Sequence, residues 1–192
     1  MRIIYPYAEH YPEAIAALPL DAEQVDVSAD PEAYWRLLRD LWRSGEDFLI
    51  VEHDMVLPDG ALHTFDSCRR EWCAHPYFMY GTWGTWHGVT RYRGGLTRRL
   101  PNLPDEIRSR TWPSLDSAWI NHLRLAGVNE AHWHWPPARH LNPAHPPMAV
   151  PCPHCGADIA LTVGRSVAEL TADDALAPFR ASLRLTMTAG IL

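Results

Sequence analysis

A chain of 192 residues, 47% hydrophobic and 21% charged, can bury a core as one domain with a small appendage. Its formal charge of −6, set against 17 basic residues that are all arginine, disfavours nucleic acid as a partner. No apolar run approaches the ~20 residues that span a bilayer, and Met1-Arg2-Ile3-Ile4-Tyr5-Pro6 does not begin a long apolar leader, so a cytoplasmic protein without a membrane anchor is expected.

Arg2 to Tyr7 is a β-rich run, and Tyr11 to Leu18 carries helical spacing at Ile15 and Leu18. Gln24 to Ser28 sets Val25 and Val27 against polar neighbours, which predicts a second strand. Asp30-Pro31 supplies an N-cap and a proline at the first helical position. Tyr34, Leu37, Leu38 and Leu41 then fall on one helical face, and Ser44-Gly45 closes the helix. Phe48-Leu49-Ile50-Val51 reads as a strand buried on both faces, and Glu52-His53-Asp54 follows it. Two carboxylates cannot run through a core, so they are expected at the carboxyl edge of the sheet, where open α/β sheets bind ligands. On an extended backbone Glu52 and Asp54 point to the same side and can share one cation, while His53 points away and packs. Strands alternating with helices predict a parallel βαβ sheet.

Pro58-Asp59-Gly60 opens a short helix through Phe65, Glu71 to Tyr80 predicts a strand rich in aromatics, and Gly88 to Arg93 predicts another. Trp83 and Trp86 lie between them and read either as a sugar platform or as cover for a sheet edge. Arg91 and Arg93 read as phosphate contacts or surface ion pairs. Gly94-Gly95 leads into a short helix, and Pro101 to Pro113 reads as a functional or mobile loop. Ser114 is placed to cap the next helix, which puts Asp116 in its first turn, either compensating the helix dipole or acting in catalysis. Ala131-His132-Trp133-His134-Trp135 alternates as a last strand before Pro136-Pro137, and His140 follows toward the same edge.

Taken in order, Val51-Glu52-His53-Asp54, Pro58-x-Gly60-Ala61-Leu62, Cys68-x4-Cys73-Ala74-x-Pro76-Tyr77, Gly88-Val89-Thr90-Arg91-Tyr92, Trp112-x3-Asp116, Gly127 and Pro136-Pro137-x2-His140-Leu141 form a series. This series resembles small GT-A-type glycosyltransferases, family 2-like, of high-GC bacteria or their phages, over residues 1 to 145. The resemblance implies a GT-A-like (Rossmann-like), mostly parallel α/β sheet flanked by helices, which would form the nucleotide-sugar and catalytic domain. It implies that Glu52-His53-Asp54 stands for the family's Asp-x-Asp triplet, which binds Mn²⁺ or Mg²⁺ with the donor diphosphate. It further implies Tyr5 and Asp26 at the nucleotide base and ribose, His140 in the metal shell, and Asp116 as general base toward an acceptor hydroxyl. The sheet before the triplet is one βα unit shorter than the family's, and the acceptor region is small.

Residues 146–192 form the appendage. Cys152-x2-Cys155 followed by Gly156 is one knuckle of a zinc ribbon. Zinc takes four ligands, and Cys68 and Cys73 are the other two of the four cysteines, so a four-cysteine clip is one reading. His145 with His154, a site shared across a homodimer, a Cys152–Cys155 disulfide and free thiols are the others. Residues 164 to 192 predict a helical tail, interrupted at Pro178, that docks on the domain or on a second copy. Two functional expectations result. One is a metal-dependent glycosyltransferase moving a sugar from a nucleotide-diphosphate donor to a hydroxyl acceptor, with stereochemistry open. The other is a non-catalytic, GT-like binding or assembly protein that pairs with a partner through the Cys-x2-Cys tail.

Overall fold

A computed structural model describes residues 1–79, 82–141, 150–151 and 158–159. The chain divides into two compact units, Met1–Phe78 with Trp83–Leu141, and Met79–Thr82 with Asn142–Leu192. In chain order the elements are β1 (Arg2–Tyr7), α1 (Pro12–Ala16), β2 (Glu23–Asp26), α2 (Ala33–Ser44), β3 (Phe48–Val51), β4 (Met55–Val56), α3 (Ala61–Ser67), β5 (Trp72–Ala74), β6 (Tyr77–Met79), β7 (Thr82–Gly84) and β8 (Val89–Tyr92). They continue as α4 (Gly94–Arg99), α5 (Leu103–Glu106), α6 (Trp112–Leu125), β9 (His132–Trp133), β10 (Arg139–His140), β11 (Val150–Pro151) and β12 (Asp158–Ile159).

The central sheet of the first unit has six strands in the order β2-β1-β3-β8-β5-β9. β1 runs parallel to β2 and β3, β9 runs parallel to β5, and β8 is antiparallel to both β3 and β5. Five strands therefore share one direction and β8 alone is reversed, giving a mixed α/β fold with a mostly parallel sheet flanked by helices. β4 pairs antiparallel with β10, β6 pairs with β7, and in the second unit β11 pairs antiparallel with β12. Cys152, Cys155 and the expected helical tail lie outside the described residues.

β3 is buried along its whole length, as its unbroken apolar run requires of a central strand. α2 buries Tyr34, Trp35, Leu38, Leu41 and Trp42 on one face and stops at Gly45, whose φ of 72° suits a residue without a Cβ. It starts at Ala33 rather than after Asp30, because Asp30 is spent on the preceding turn. Its carboxylate accepts the Glu32 N–H at 2.8 Å and its carbonyl accepts that of Ala33 at 3.1 Å. The expected strand from Glu71 to Tyr80 is broken into β5 and β6 at His75-Pro76, since Pro76 has no N–H for a sheet ladder.

Tryptophan has a structural use that composition alone does not reveal. Trp42 packs edge-on against Tyr92 and Trp119, with ring centroids 5.5 Å and 5.3 Å away, and Trp72 stacks on Tyr92 at 5.8 Å. The indole N–H groups of Trp35, Trp42 and Trp72 donate to the carbonyls of Pro104, Leu100 and Asn129, at 3.1, 2.7 and 2.7 Å. Each ring thus fills the core and tethers a connecting segment. This accounts for the stretch from Pro101 to Pro113, which is no loose loop: it contains α5, and its Leu103 and Ile107 are core residues. Trp86 packs against the same core and against Tyr77, at 5.2 Å, which is the sheet-cover reading rather than the platform.

One tight approach fixes how α4 follows the sheet. Gly94 donates its N–H to Asp47 at 2.8 Å, and a Cβ there would lie 2.2 Å from the Gly45 carbonyl oxygen, whereas Gly95 has nothing within 4 Å of the same position. Gly94→Ala is therefore expected to destabilise the protein by about 1–3 kcal/mol through overpacking. Gly95→Ala is expected to be neutral or to add up to about 1 kcal/mol of helix propensity. Urea unfolding of the two variants beside the wild type checks this; equal midpoints would refute it.

Candidate active site

β3 ends where its first carboxylate begins. The Glu52 N–H donates to the Gly88 carbonyl at 2.8 Å, extending the pairing with β8 by one residue. The chain then turns, with the Met55 N–H donating to the Glu52 carbonyl at 3.0 Å. The triplet is thus a turn and not the extended backbone expected from its spacing. β4 leaves this turn and pairs with β10, placing Met55 opposite His140, and the Leu141 N–H donates to the Asp54 carbonyl at 2.7 Å. The result is that His140 Nε2 lies 3.1 Å from Asp54 Oδ2, with the two side chains 9% and 13% exposed. Burial acts to raise the Asp54 carboxyl, but the hydrogen bond and charge of His140, with His53 adding to them, outweigh it and hold Asp54 below its ordinary value.

Glu52 is in a different condition. It is 6% exposed, and its Oε1 accepts the Tyr34 hydroxyl at 2.8 Å. Burial, then the charges of Asp116 and Asp54, push it well above the ordinary glutamate range despite the Tyr34 hydrogen bond. In this arrangement Glu52 is a buried carboxyl braced by α2 rather than an open ligand at the sheet edge.

Asp116 joins this group from α6. That helix starts at Trp112, with Thr111 extended before it and proline tolerated in its first two positions, where no N–H partner is needed. Asp116 therefore falls in the second turn, which removes the expected Ser114 cap and the dipole-compensation reading. Burial raises its carboxyl to about 7, with Asp54 adding to the shift and a hydrogen bond from the His87 backbone N–H opposing it. Asp116 Oδ1 and His87 Nε2 face each other at 4.0 Å, and neither has a hydrogen-bond partner. The distance is too long for a hydrogen bond. The His87 ring is fully buried, lies 3.1 Å from the Tyr92 hydroxyl through Nδ1, and is kept neutral by burial, which lowers it to about 3. His87 and Tyr34 are the members that sequence reasoning missed. Tyr34 is indistinguishable from any other apolar-face residue of α2, and a lone histidine before a strand carries no signal.

The remaining expected site residues divide. Tyr5 is fully buried, and its hydroxyl donates to the His53 carbonyl at 3.1 Å, so it braces the acidic turn instead of presenting a face to a nucleotide base. Asp26, at the end of β2 and opposite Tyr7 on β1, is exposed at the carboxyl edge, and its Oδ1 accepts the Ser28 N–H at 2.8 Å and hydroxyl at 2.7 Å. His53 packs between Tyr11 and Trp112, with ring centroids 5.6 Å and 5.0 Å away. Arg93 makes a surface ion pair with Asp47 at 3.4 Å. Arg91 is neither a phosphate contact nor a surface group: it is 2% exposed and its guanidinium donates to the carbonyls of Phe65, Cys68 and Arg70.

As ligands for Mn²⁺ or Mg²⁺, Asp54 and His140 fit as a pair, since ligands on one edge of an octahedron lie ~3 Å apart. Glu52 does not join them. The cysteines lie elsewhere. Cys68 and Cys73 are buried and unbridged, and burial pushes the Cys73 thiol up to about 12. Cys68 lies with His132 and His134 in a group whose ligand atoms are all within 4.8 Å of one another. The four-cysteine clip rests on Cys152 and Cys155, which fall outside the described residues. No helix among the described residues is long and apolar enough to cross a membrane.

No family model matches the chain, and no curated protein matches it. Among solved structures the chain is similar to that titled "Crystal Structure of A197 from STIV", at 13% identity and a TM-score of 0.41, over 64% of this chain and 78% of the other.

The raised carboxyl of Asp116 fixes the sign of a pH effect. An unfolded Asp116 ionises near pH 4, whereas the folded one holds its proton to about 7, so the unfolded state is favoured progressively across that window. Stability from this group is fully present below the window and lost as pH rises through it; Glu52 acts in the same direction. Asp116→Asn is expected to match the wild type at pH 4 and to exceed it by a few kcal/mol at pH 8, roughly 2–4 °C in Tm per kcal/mol. Thermal melts at the two pH values check this, and a variant less stable than wild type at pH 8 would show that the buried carboxylate is satisfied.

Proposed function

We propose that the chain is a metal-dependent glycosyltransferase of GT-A type, moving a sugar from a nucleotide-diphosphate donor to a hydroxyl acceptor. The observation that carries this reading is the grading of three carboxyls at one strand end. Asp54 is held as the anion beside His140, Asp116 titrates near neutrality, and Glu52 is kept as the acid. Carboxyls whose environments drive them apart in this way are how one site divides acid, base and charge-binding tasks.

Asp54 and His140 would hold a divalent cation. When bound, it supplies positive charge against the diphosphate leaving group. Asp116 supplies the base. The acceptor oxygen bonds to the anomeric carbon, the bond from that carbon to the phosphate oxygen breaks with its electron pair leaving on the nucleotide diphosphate, and the acceptor proton passes to the Asp116 carboxylate. A base titrating near 7 is half ionised at neutral pH and still takes up a proton readily. The His87 backbone N–H donates to the Asp116 carboxylate and holds its orientation, and the neutral His87 ring is itself fixed against Tyr92. Asp26, exposed at the carboxyl edge, would meet a ribose hydroxyl. Glu52 acts through Asp54 and Asp116, shaping their charge without touching substrate.

Calorimetric titration with UDP and GDP, first with Mn²⁺ and then with EDTA, tests the reading. Binding is expected with Mn²⁺, lost with EDTA, and at least roughly tenfold weaker in Asp54→Asn and His140→Ala, or about 1.4 kcal/mol. Asp116→Asn is expected to bind nucleotide as the wild type does while transferring or hydrolysing a nucleotide sugar about 10²- to 10⁴-fold more slowly. Binding indifferent to Mn²⁺ and to Asp54 would overturn the assignment of the cation ligands. No binding of any nucleotide would overturn the enzyme reading and favour a GT-like assembly protein.

A further inference from the structure

The Cys68 group lies apart from the carboxyls and is not used by the proposed reaction. Cys68 ends α3, and β9 is the edge strand of the six-stranded sheet, paired with β5 alone. His132 and His134 are two apart on that edge, the spacing that puts both imidazoles on one side of an extended chain. The His134 N–H continues the β5 pairing, donating to the Ala74 carbonyl at 2.9 Å, and Cys73 is the register partner of His132. One sulfur and two imidazole nitrogens, drawn from a helix end and a strand, converge within 4.8 Å.

Three features show that this convergence is more than crowding. His134 Nε2 is buried and has no hydrogen-bond partner. Its neighbour His75 is fully used, with Nδ1 donating to the Pro136 carbonyl at 2.6 Å and Nε2 3.0 Å from the Thr64 hydroxyl. The site leaves one imidazole unsatisfied and satisfies the other. Second, Arg91 fixes the segment that carries Cys68 by donating to the carbonyls of Phe65, Cys68 and Arg70, so the sulfur is held from behind. Third, a second thiol is at hand, since those of Cys68 and Cys73 interact.

We propose that Cys68, His132 and His134 bind a structural zinc ion, with Cys73, whose thiol interacts with that of Cys68 but lies outside the 4.8 Å group, moving in to close the tetrahedron. Mixed sulfur and imidazole ligation in tetrahedral geometry selects zinc, and ligand atoms ~3.5 Å apart around the ion require only a small contraction of the group. Charge favours the second thiol. Two thiolates cancel the charge of Zn²⁺, whereas one would leave a net positive centre beside the buried Arg91 guanidinium. The ion clips the end of α3 to the edge strand, where ladder bonds come from one side only. The chain that leaves His134 leads on to β10, so the clip also anchors the root of the segment that carries His140.

The test is zinc content of the full-length, untagged protein, purified without chelator, in wild type, His132→Gln, Cys68→Ser and the double variant Cys152→Ser/Cys155→Ser. His132 is exposed, so His132→Gln does not endanger folding. The wild type is expected to hold zinc, His132→Gln and Cys68→Ser to hold about one ion per chain less, and the tail double variant to keep that ion. Where Cys68→Ser fails to fold, the double variant loaded with Co²⁺ replaces it, and a thiolate-to-cobalt charge-transfer band is expected. Zinc content unchanged by His132→Gln, zinc lost only with the tail cysteines, or a cobalt form without that band would each overturn the site. Retention of zinc by a folded Cys73→Ser variant would overturn the fourth ligand.

Discussion

A buried carboxyl at the end of a fully buried strand is the constraint around which the first unit is built. Carrying a charged glutamate into the core beyond Val51 would cost several kcal/mol. The chain eases this by pushing the Glu52 carboxyl well above its ordinary range, giving it the Tyr34 hydroxyl and turning immediately. The turn sends β4 away from the main sheet, free to pair with β10. Without the turn, Asp54 would have continued along the sheet edge and could not have met a histidine 86 positions further along, the difference between 140 and 54. The apolar length of β3, the acid that ends it and the pairing that completes the site are one chain of causes.

The two ends of the site are held by different physics. On the Asp54 side the restraint is backbone hydrogen bonding: two register pairs between β4 and β10, plus the Leu141 N–H on the Asp54 carbonyl. On the Asp116 side it is aromatic packing. Tyr92 contacts Trp42, Phe48 and Trp72, and its hydroxyl lies against His87, whose backbone N–H is given to Asp116. A shift of any of these rings moves His87 and with it the carboxylate. The aromatic load of the chain is spent largely on this alignment and on tethering connecting segments.

Much of this was legible in the sequence, and the boundary of legibility has physical reasons. β3, α2 and β8 were readable because burial imposes a pattern on every residue of a central element. Asp54 and His140 were readable as edge residues because a strand end followed by acid, and a proline turn followed by histidine, each restrict where a side chain can go. The burial of Glu52 was not legible because spacing argues about direction and not about solvation. The choice between ligand and buried acid depends on Tyr34 and Asp116, which come from two different helices. The Asp116 helix was placed a few residues late because the Trp112-Pro113 start obeys the same proline rule as a Ser114 cap, and only packing separates the two. In sequence Cys68 reads only as one of four cysteines. The His-x-His alternation of β9 was seen as a strand signal, and its second meaning, two imidazoles on one side, needed the position of α3.

Placing three carboxyls at one strand end has a consequence for the whole first unit. Coulomb repulsion among them falls off slowly where water is excluded, so they cannot all ionise without loosening the fold. The arrangement resolves this by position. The carboxyl nearest an imidazole takes the charge, the one against a tyrosine hydroxyl keeps its proton, and the third, held by a single backbone N–H, is left between them. Its intermediate state follows from the other two being settled. A positive charge arriving at Asp54 would draw all three downward, Asp116 included, because each carboxyl feels the others. On the proposed reading, binding of a cation and activation of a base would thereby be coupled through the field alone, without any moving part.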